Sequence, residues 1–213
     1  MGKNTPHTIL SSCFIDAVDY ARIQHAEQTR KGSGIPYIYH LLGVSSLVLE
    51  YGGDEDQAIA GLLHDVIEDC GSKHESIIRK RFGDRVADIV LACTDGTEES
   101  KAEATTPEAK FENWRRRKLA YLKHLRREKP DALLVSCCDK LHNARAIVTD
   151  LESPKIGRVV FERFTAKRDG TLRYYQSISE IFTKRKTKPA AALEAVVARM
   201  HVLAGICVRK TMD

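Results

Sequence analysis

Leu62 to Asp69 reads LLHDVIED, and it constrains the fold more than any other stretch of the chain. His64 and Asp65 are adjacent, and Glu68 and Asp69 follow about one turn later on a helix of roughly 3.6 residues per turn. Ala58, Ile59, Ala60, Leu62, Leu63, Val66 and Ile67 make the surroundings largely apolar. Carboxylates are rarely set in such surroundings without something that pairs with them. A divalent cation supplies that pairing, because neutral imidazole and ionised carboxylate are both good ligands for a borderline or hard metal. A second carboxylate pair nearby can then handle protons. The competing reading is an amphipathic helix with a solvated acidic end, and on this stretch alone the two stand level.

The rest of the chain is patterned for helices. Ile9 to Thr29 carries Phe14, Ala17, Val18, Ala21 and His25 at the spacing of one helix face and ends in Arg30-Lys31. Gly32, Ser33, Gly34 and Pro36 make a loop, and a second helix runs from about Tyr37 to Tyr51 before Gly52-Gly53. Asp54 is placed to cap a third helix that carries the opening stretch through Cys70-Gly71. Ser72 starts a fourth, Gly83-Asp84 breaks it, and Arg85 to Cys93 continues as a fifth. Thr94 to Pro107 is polar and breaker-rich and is expected to be a surface loop. Glu108 to Glu128 reads as a basic helix, and Asp131 to Asp150 as one apolar nearly all round, hence buried. Helices near Lys155 to Thr165 and Gly170 to Phe182 close the bundle, Thr183 to Pro189 reads as a basic linker, and Ala190 to Val208 as a last amphipathic helix. This last helix can pack on its own core or on a second subunit. Strand-like alternation is absent, so the expected class is all-α.

A length of 213 residues suits one sizeable core, and no run of about 18 apolar residues predicts a membrane span. The first residues lack a basic segment followed by an apolar stretch, so no secretory signal is expected and the default location is cytoplasmic. The six cysteines lie scattered among apolar residues without CxxC spacing, which favours reduced thiols over disulfides or a zinc cluster. The net charge of +5 is concentrated at Arg115 to Lys118, Arg126-Arg127 and Lys184 to Lys188. Such patches attract polyanions, but each taken singly is more simply a solvated helix face; Arg115 to Lys118 and Arg126 alternate with Leu119, Tyr121, Leu122 and Leu125 as one wet side of a helix does, and no DNA-binding motif is read here.

A second polar island, Asp139-Lys140-Leu141-His142-Asn143-Ala144-Arg145, sits inside the apolar helix, directly after Leu133 to Cys138. Asp139 enters an apolar wall and needs a counter-charge, which a salt bridge or a metal supplies equally well. His40 follows the Gly-rich loop as Pro-Tyr-Ile-Tyr-His. Together, His40, His64, Asp65 and Asp139 make a nitrogen and oxygen ligand set without sulfur. It suits manganese, iron, magnesium or zinc and leaves positions open for water and a substrate oxygen.

The order His40, His64-Asp65, Asp139 on an all-helical chain resembles the HD-domain superfamily of metal-dependent phosphohydrolases. Arg30-Lys31 with PYIYH at 36 to 40, LLHDVIED at 62 to 69, FGDRVADIV at 82 to 90 and DKLHNAR at 139 to 145 is similar to the hydrolase domain of RelA/SpoT-type alarmone enzymes. The similarity runs over roughly residues 9 to 183. It is nearest to the stand-alone small alarmone hydrolases, since no synthetase segment follows. The resemblance implies a single HD-type helical bundle over residues 1–183, with a basic linker and an additional C-terminal helix over 184–213. It implies His40, His64, Asp65 and Asp139 as ligands, usually of Mn²⁺, and Glu68 and Asp69 as the acidic pair that positions or activates the attacking water. It implies Arg30, Lys31 and Asn143 as contacts to the nucleotide, with Arg145 at a further basic position. The implied reaction removes pyrophosphate from the 3′ position of ppGpp or pppGpp, giving GDP or GTP. Ala146 stands where many members have Thr.

The residues alone leave two other readings open. One is a phosphohydrolase of the same fold acting on another nucleotide or a phosphorylated dinucleotide cofactor. The other is a non-catalytic module that binds nucleotide and signals through a partner. Oligomeric state is not legible in the sequence.

Overall fold

The computed structural model describes residues 8–96 and 105–212, and among them the chain forms ten α-helices, one 3₁₀ segment and no strand. The helices are α1 (Ser12–Gln24), α2 (Ile38–Glu50), α3 (Glu55–Leu63), α4 (Val66–Cys70), α5 (His74–Phe82) and α6 (Asp84–Cys93). They continue with α7 (Pro107–Leu125), α8 (Pro130–Glu152), the 3₁₀ segment Gly157–Arg163, α9 (Lys167–Lys184) and α10 (Ala190–Leu203). The all-α class expected from periodicity is the class observed. Of the polar loop expected over 94–107, residues 97–104 lie outside the described residues.

α8 is the axis of the bundle. Pro130 stands in its first turn, where a missing N–H costs nothing. Leu133, Val135, Cys137, Cys138, Leu141 and Ala144 are buried, as expected of a helix apolar nearly all round. α2, α3, α6, α10 and the 3₁₀ segment all pack on it. Each such leucine or valine contributes roughly 1.5–3 kcal/mol through burial. α10 lies against α8 and α9, with Leu193, Val197 and Met200 fully buried, so its apolar face is covered by its own chain.

Four expected boundaries move, each for a local reason. The first helix stops at Gln24 and not at Thr29, because His25 turns inward. It is buried, stacks on Tyr37 with ring centroids 5.1 Å apart, and pairs its Nδ1 with Gln28 Oε1 at 2.6 Å. The chain then doubles back, with Arg30 N donating to Ile35 O at 2.8 Å, Tyr37 N to Gln28 O at 3.0 Å, and a bridge between Thr29 and Pro36. The third helix, expected to run from Asp54 to Cys70, starts with an Asp54/Gln57 capping box but breaks at His64-Asp65 into α3 and α4. The helix expected near 155–165 is a 3₁₀ segment introduced by Gly157, whose φ is +53°. The last helix ends at Leu203 and not at Val208. Gly205 adopts φ +75°, letting Ile206 N reach back to His201 O at 2.9 Å, and a Cβ there would come within 2.7 Å of Arg158 Nη2.

Candidate active site

The break between α3 and α4 builds the centre. On a continuous helix, consecutive side chains point roughly 100° apart. Here His64 closes α3 and Asp65 opens α4, and His64 Nε2 lies 3.0 Å from Asp65 Oδ2. α2 brings His40, whose Nε2 lies 3.6 Å from Asp65 Oδ2 and 3.2 Å from Asp139 Oδ1 on α8. His64 Nε2 is 3.6 Å from the same Asp139 oxygen. All four candidate ligands named from the sequence therefore meet at one point, from two helices and the α3–α4 junction.

Two features suit a cation there. Nε2 of His40 and Nε2 of His64 are buried and have no hydrogen-bond partner, although carboxylate oxygens lie close by. The nearest carboxylate oxygens stand 3.0–3.6 Å from those nitrogens. Buried polar atoms are seldom left so, and one divalent ion bound by two imidazoles and two carboxylates would satisfy both. His40, His64 and Asp65 by themselves offer ligand atoms within 4.8 Å of one another.

Electrostatics reinforce the cluster. Burial alone would keep the His64 imidazole neutral, but Asp65 and Asp139 beside it raise it well above the usual histidine value. Burial likewise opposes charge on Asp65, yet His64 and His40 hold its carboxyl well below the usual range. For Asp139 burial is outweighed by Lys140 first and then by both histidines. Lys140 is half-buried and pairs with Asp139.

Each candidate ligand has an outer partner. His64 Nδ1 lies 2.9 Å from the Gly61 carbonyl. Tyr37 OH donates to Asp65 Oδ2 at 2.7 Å. Asn143 Nδ2 donates to Asp139 Oδ1 at 2.6 Å, while Asn143 Oδ1 accepts from Arg30 Nη2 at 2.6 Å. His40 Nδ1 lies 2.9 Å from His142 Nδ1. Burial, with His40 and Arg30 near, brings His142 down to about 4.

The centre opens into a cleft of about 690 Å³, whose lining includes Glu68, Asp69, Arg30, Lys31, Asn143 and Arg145. Every remaining residue singled out from the sequence thus faces the same space. Asp69 Oδ2 accepts from Gln28 Nε2 at 2.9 Å, which fixes one carboxylate of the acidic pair. Arg30 lies over the Tyr37 ring, 5.6 Å from its centroid. Asn143, expected to touch substrate, is engaged at both ends of its amide.

A family model described as HD domain matches residues 17–172.

The chain belongs to the HD-domain family.

Its HD domain is 37% identical over 150 residues to a Synechocystis protein named as a probable guanosine-3′,5′-bis(diphosphate) 3′-pyrophosphohydrolase, covering 70% of this chain and 18% of that relative. It is 33% identical over 138 residues to a Xenopus tropicalis protein named as a guanosine-3′,5′-bis(diphosphate) 3′-pyrophosphohydrolase, covering 63% of this chain and 69% of the relative. The solved structure of a metazoan ortholog of SpoT matches the HD fold with a TM-score of 0.69 at 24% identity, over 94% of this chain and 99% of that one. The chain spans less than a fifth of the length of the first two curated relatives it matches, 18% and 17%.

Other residues of the HD site carry weight that sequence reasoning did not assign. Tyr37, Gln28 and His142 support the centre from outside, and only the position of His142 three residues after Asp139 hints at this in sequence. Lys118 and Lys140 stand half-buried in the cleft wall, paired with Asp95 and Asp139. Lys118 and Arg117 on α7 both pair with Asp95, just beyond α6, which stays ionised well below the usual carboxylate range against burial because Lys118 faces it. Their signal was hidden in a helix read as a solvated basic face.

Proposed function

We propose that this HD-domain chain is a Mn²⁺-dependent hydrolase that removes the 3′-pyrophosphate of ppGpp and pppGpp, leaving GDP or GTP. The observation that carries the reading is the meeting of His40, His64, Asp65 and Asp139 around two buried, unsatisfied imidazole nitrogens, at a cleft that also holds Glu68 and Asp69. The printed names of the Synechocystis and Xenopus tropicalis relatives point to the same substrate. No helix among the described residues is long and apolar enough to cross a membrane. A small soluble nucleotide as substrate suits a cytoplasmic address.

When bound, the metal lowers the pKa of water toward neutrality and offsets charge on a phosphoryl oxygen. The chain supplies the remaining parts. Glu68 takes the proton of the attacking water, and Asp69, held by Gln28, orients that water. Phosphoryl transfer depends mainly on positioning and charge neutralisation. Arg30, Lys31 and Arg145 face the cleft where a substrate with several phosphates needs cations. The planar Arg30 guanidinium is also suited to stack on a purine.

The test is a Mn²⁺-supplemented reaction with ppGpp, separated by anion exchange, with an EDTA control. EDTA-sensitive release of GDP and pyrophosphate is expected. No release by protein that has bound Mn²⁺ would overturn the substrate assignment and leave another phosphorylated nucleotide to be found.

A further inference from the structure

His40 and His64 have the same task at the centre but are held differently. The Nδ1 of His64 lies 2.9 Å from the Gly61 carbonyl, a backbone acceptor of its own helix. That contact calls for a proton on Nδ1, and in the neutral ring Nε2 then presents a lone pair. His40 has no such backbone partner for Nδ1. Its neighbour is a second imidazole, His142 Nδ1 at 2.9 Å, from a residue 102 positions further along the chain. One proton serves that contact, and it sits on either ring. If His142 held it, His40 Nδ1 would accept, and a neutral His40 would carry its own proton on Nε2, where no aligned acceptor exists. If His40 holds it, Nε2 is a free lone pair beside Asp65 and Asp139.

The packing around His142 fixes its ring in place. Tyr39 meets it edge to face, with centroids 5.3 Å apart, and the His40 ring lies 4.9 Å from it. Gly43 of α2 also packs against it, and an added Cβ there would overlap Nε2 and Cδ2 of the His142 ring. α2 therefore supplies both the imidazole that needs a partner and, one turn later, the gap into which the partner fits.

We propose that His142 is a positioning residue of the metal centre: its Nδ1 accepts the Nδ1–H of His40, and this sets the tautomer that turns His40 Nε2 into a metal ligand. The proposal rests on the reading of His40, His64, Asp65 and Asp139 as a metal site. His142 also lines the cleft, and its role at the metal runs through His40. Outer partners of metal-bound histidine fix ring orientation and tautomer, and losing one typically weakens metal binding by about 10–100-fold.

The experiment measures Mn²⁺ dissociation constants by EPR titration of the full chain, without substrate, for the wild type, His142→Ala, His142→Asn and Gly43→Ala. Melting temperatures of the metal-free proteins serve as the folding control. His142→Ala removes the acceptor, and its Mn²⁺ affinity falls by about 10–100-fold. His142→Asn places an oxygen that can only accept near the Nδ1 position and keeps affinity within about 3-fold of wild type, a rescue that mere space-filling would not give. Gly43→Ala alters neither histidine but pushes the His142 ring aside, and it weakens Mn²⁺ binding in the same direction. Unchanged affinity in folded His142→Ala, or equal losses in His142→Ala and His142→Asn, would overturn the proposal while leaving the metal site standing. Absence of Mn²⁺ binding by the wild type would remove the metal reading, and the proposal with it.

Discussion

His64 and Asp65 follow one another in the chain, yet their Nε2 and Oδ2 atoms lie 3.0 Å apart, because α3 ends on one and α4 starts from the other. Asp65→Asn keeps the shape of the junction and removes the charge. It is expected to leave the fold intact and to cut Mn²⁺ affinity by more than the roughly 10–100-fold typical of an outer partner. Metal content after dialysis, set against circular dichroism, checks this. Full metal retention would mean the cation, if any, sits elsewhere.

Glu68 lines the cleft without being one of the clustered ligands. Glu68→Gln should retain metal and lose about 10²–10⁴-fold in kcat, the usual contribution of a positioned acid or base. An unchanged kcat would move the proton transfer to Asp69.

Tyr37→Phe removes only the hydroxyl that donates to Asp65 at 2.7 Å. Stability should fall by about 1 kcal/mol, a typical net worth for one hydrogen bond. Mn²⁺ should bind about 10-fold more weakly, since the carboxylate is no longer steered. Thermal melts and metal titration of the same sample separate the two effects, and a loss of stability alone would make Tyr37 structural only.

Asp95 is buried against Lys118 and Arg117. Its folded-state carboxyl is lowered chiefly by Lys118, against burial, so it binds a proton less readily when folded than when unfolded. The stability this contributes is present above the ordinary carboxylate value of about 4 and is lost as pH falls through the lowered folded value. Asp95→Asn should cost about 3–5 kcal/mol near neutrality, because it leaves half-buried cations unpaired. It should also flatten the acid limb of the stability profile. Urea unfolding from pH 2 to 7 reads both, and parallel profiles for variant and wild type would refute the assignment.

Leu193 on α10 is fully buried. Leu193→Ala should destabilise the protein by about 2–5 kcal/mol in a single cooperative transition. A separate early transition, with the rest of the profile unmoved, would show that α10 is energetically detached from the bundle.

The sequence by itself determined the all-α class and the four candidate ligands that converge, and its likeness to a known family supplied Arg30, Lys31, Asn143 and Arg145 of the cleft. Helical periodicity is a local property, and Leu133 to Leu141 could be buried only as the axis of a bundle. Polar residues set into apolar helices, at 64–65 and at 139, mark themselves by the cost of burying them. Tertiary structure alone decided the rest. A continuous helix fits the pattern from Asp54 to Cys70, and only the demand that His64 and Asp65 reach the same point breaks it. The inward turn of His25 depends on Tyr37, and the engagement of Asn143 on Arg30, 113 residues away. The contact of His142 with His40 depends on the bare flank of Gly43. Such pairings join residues far apart in the chain. No local pattern encodes them, because the packing of α2 against α8 sets their distance.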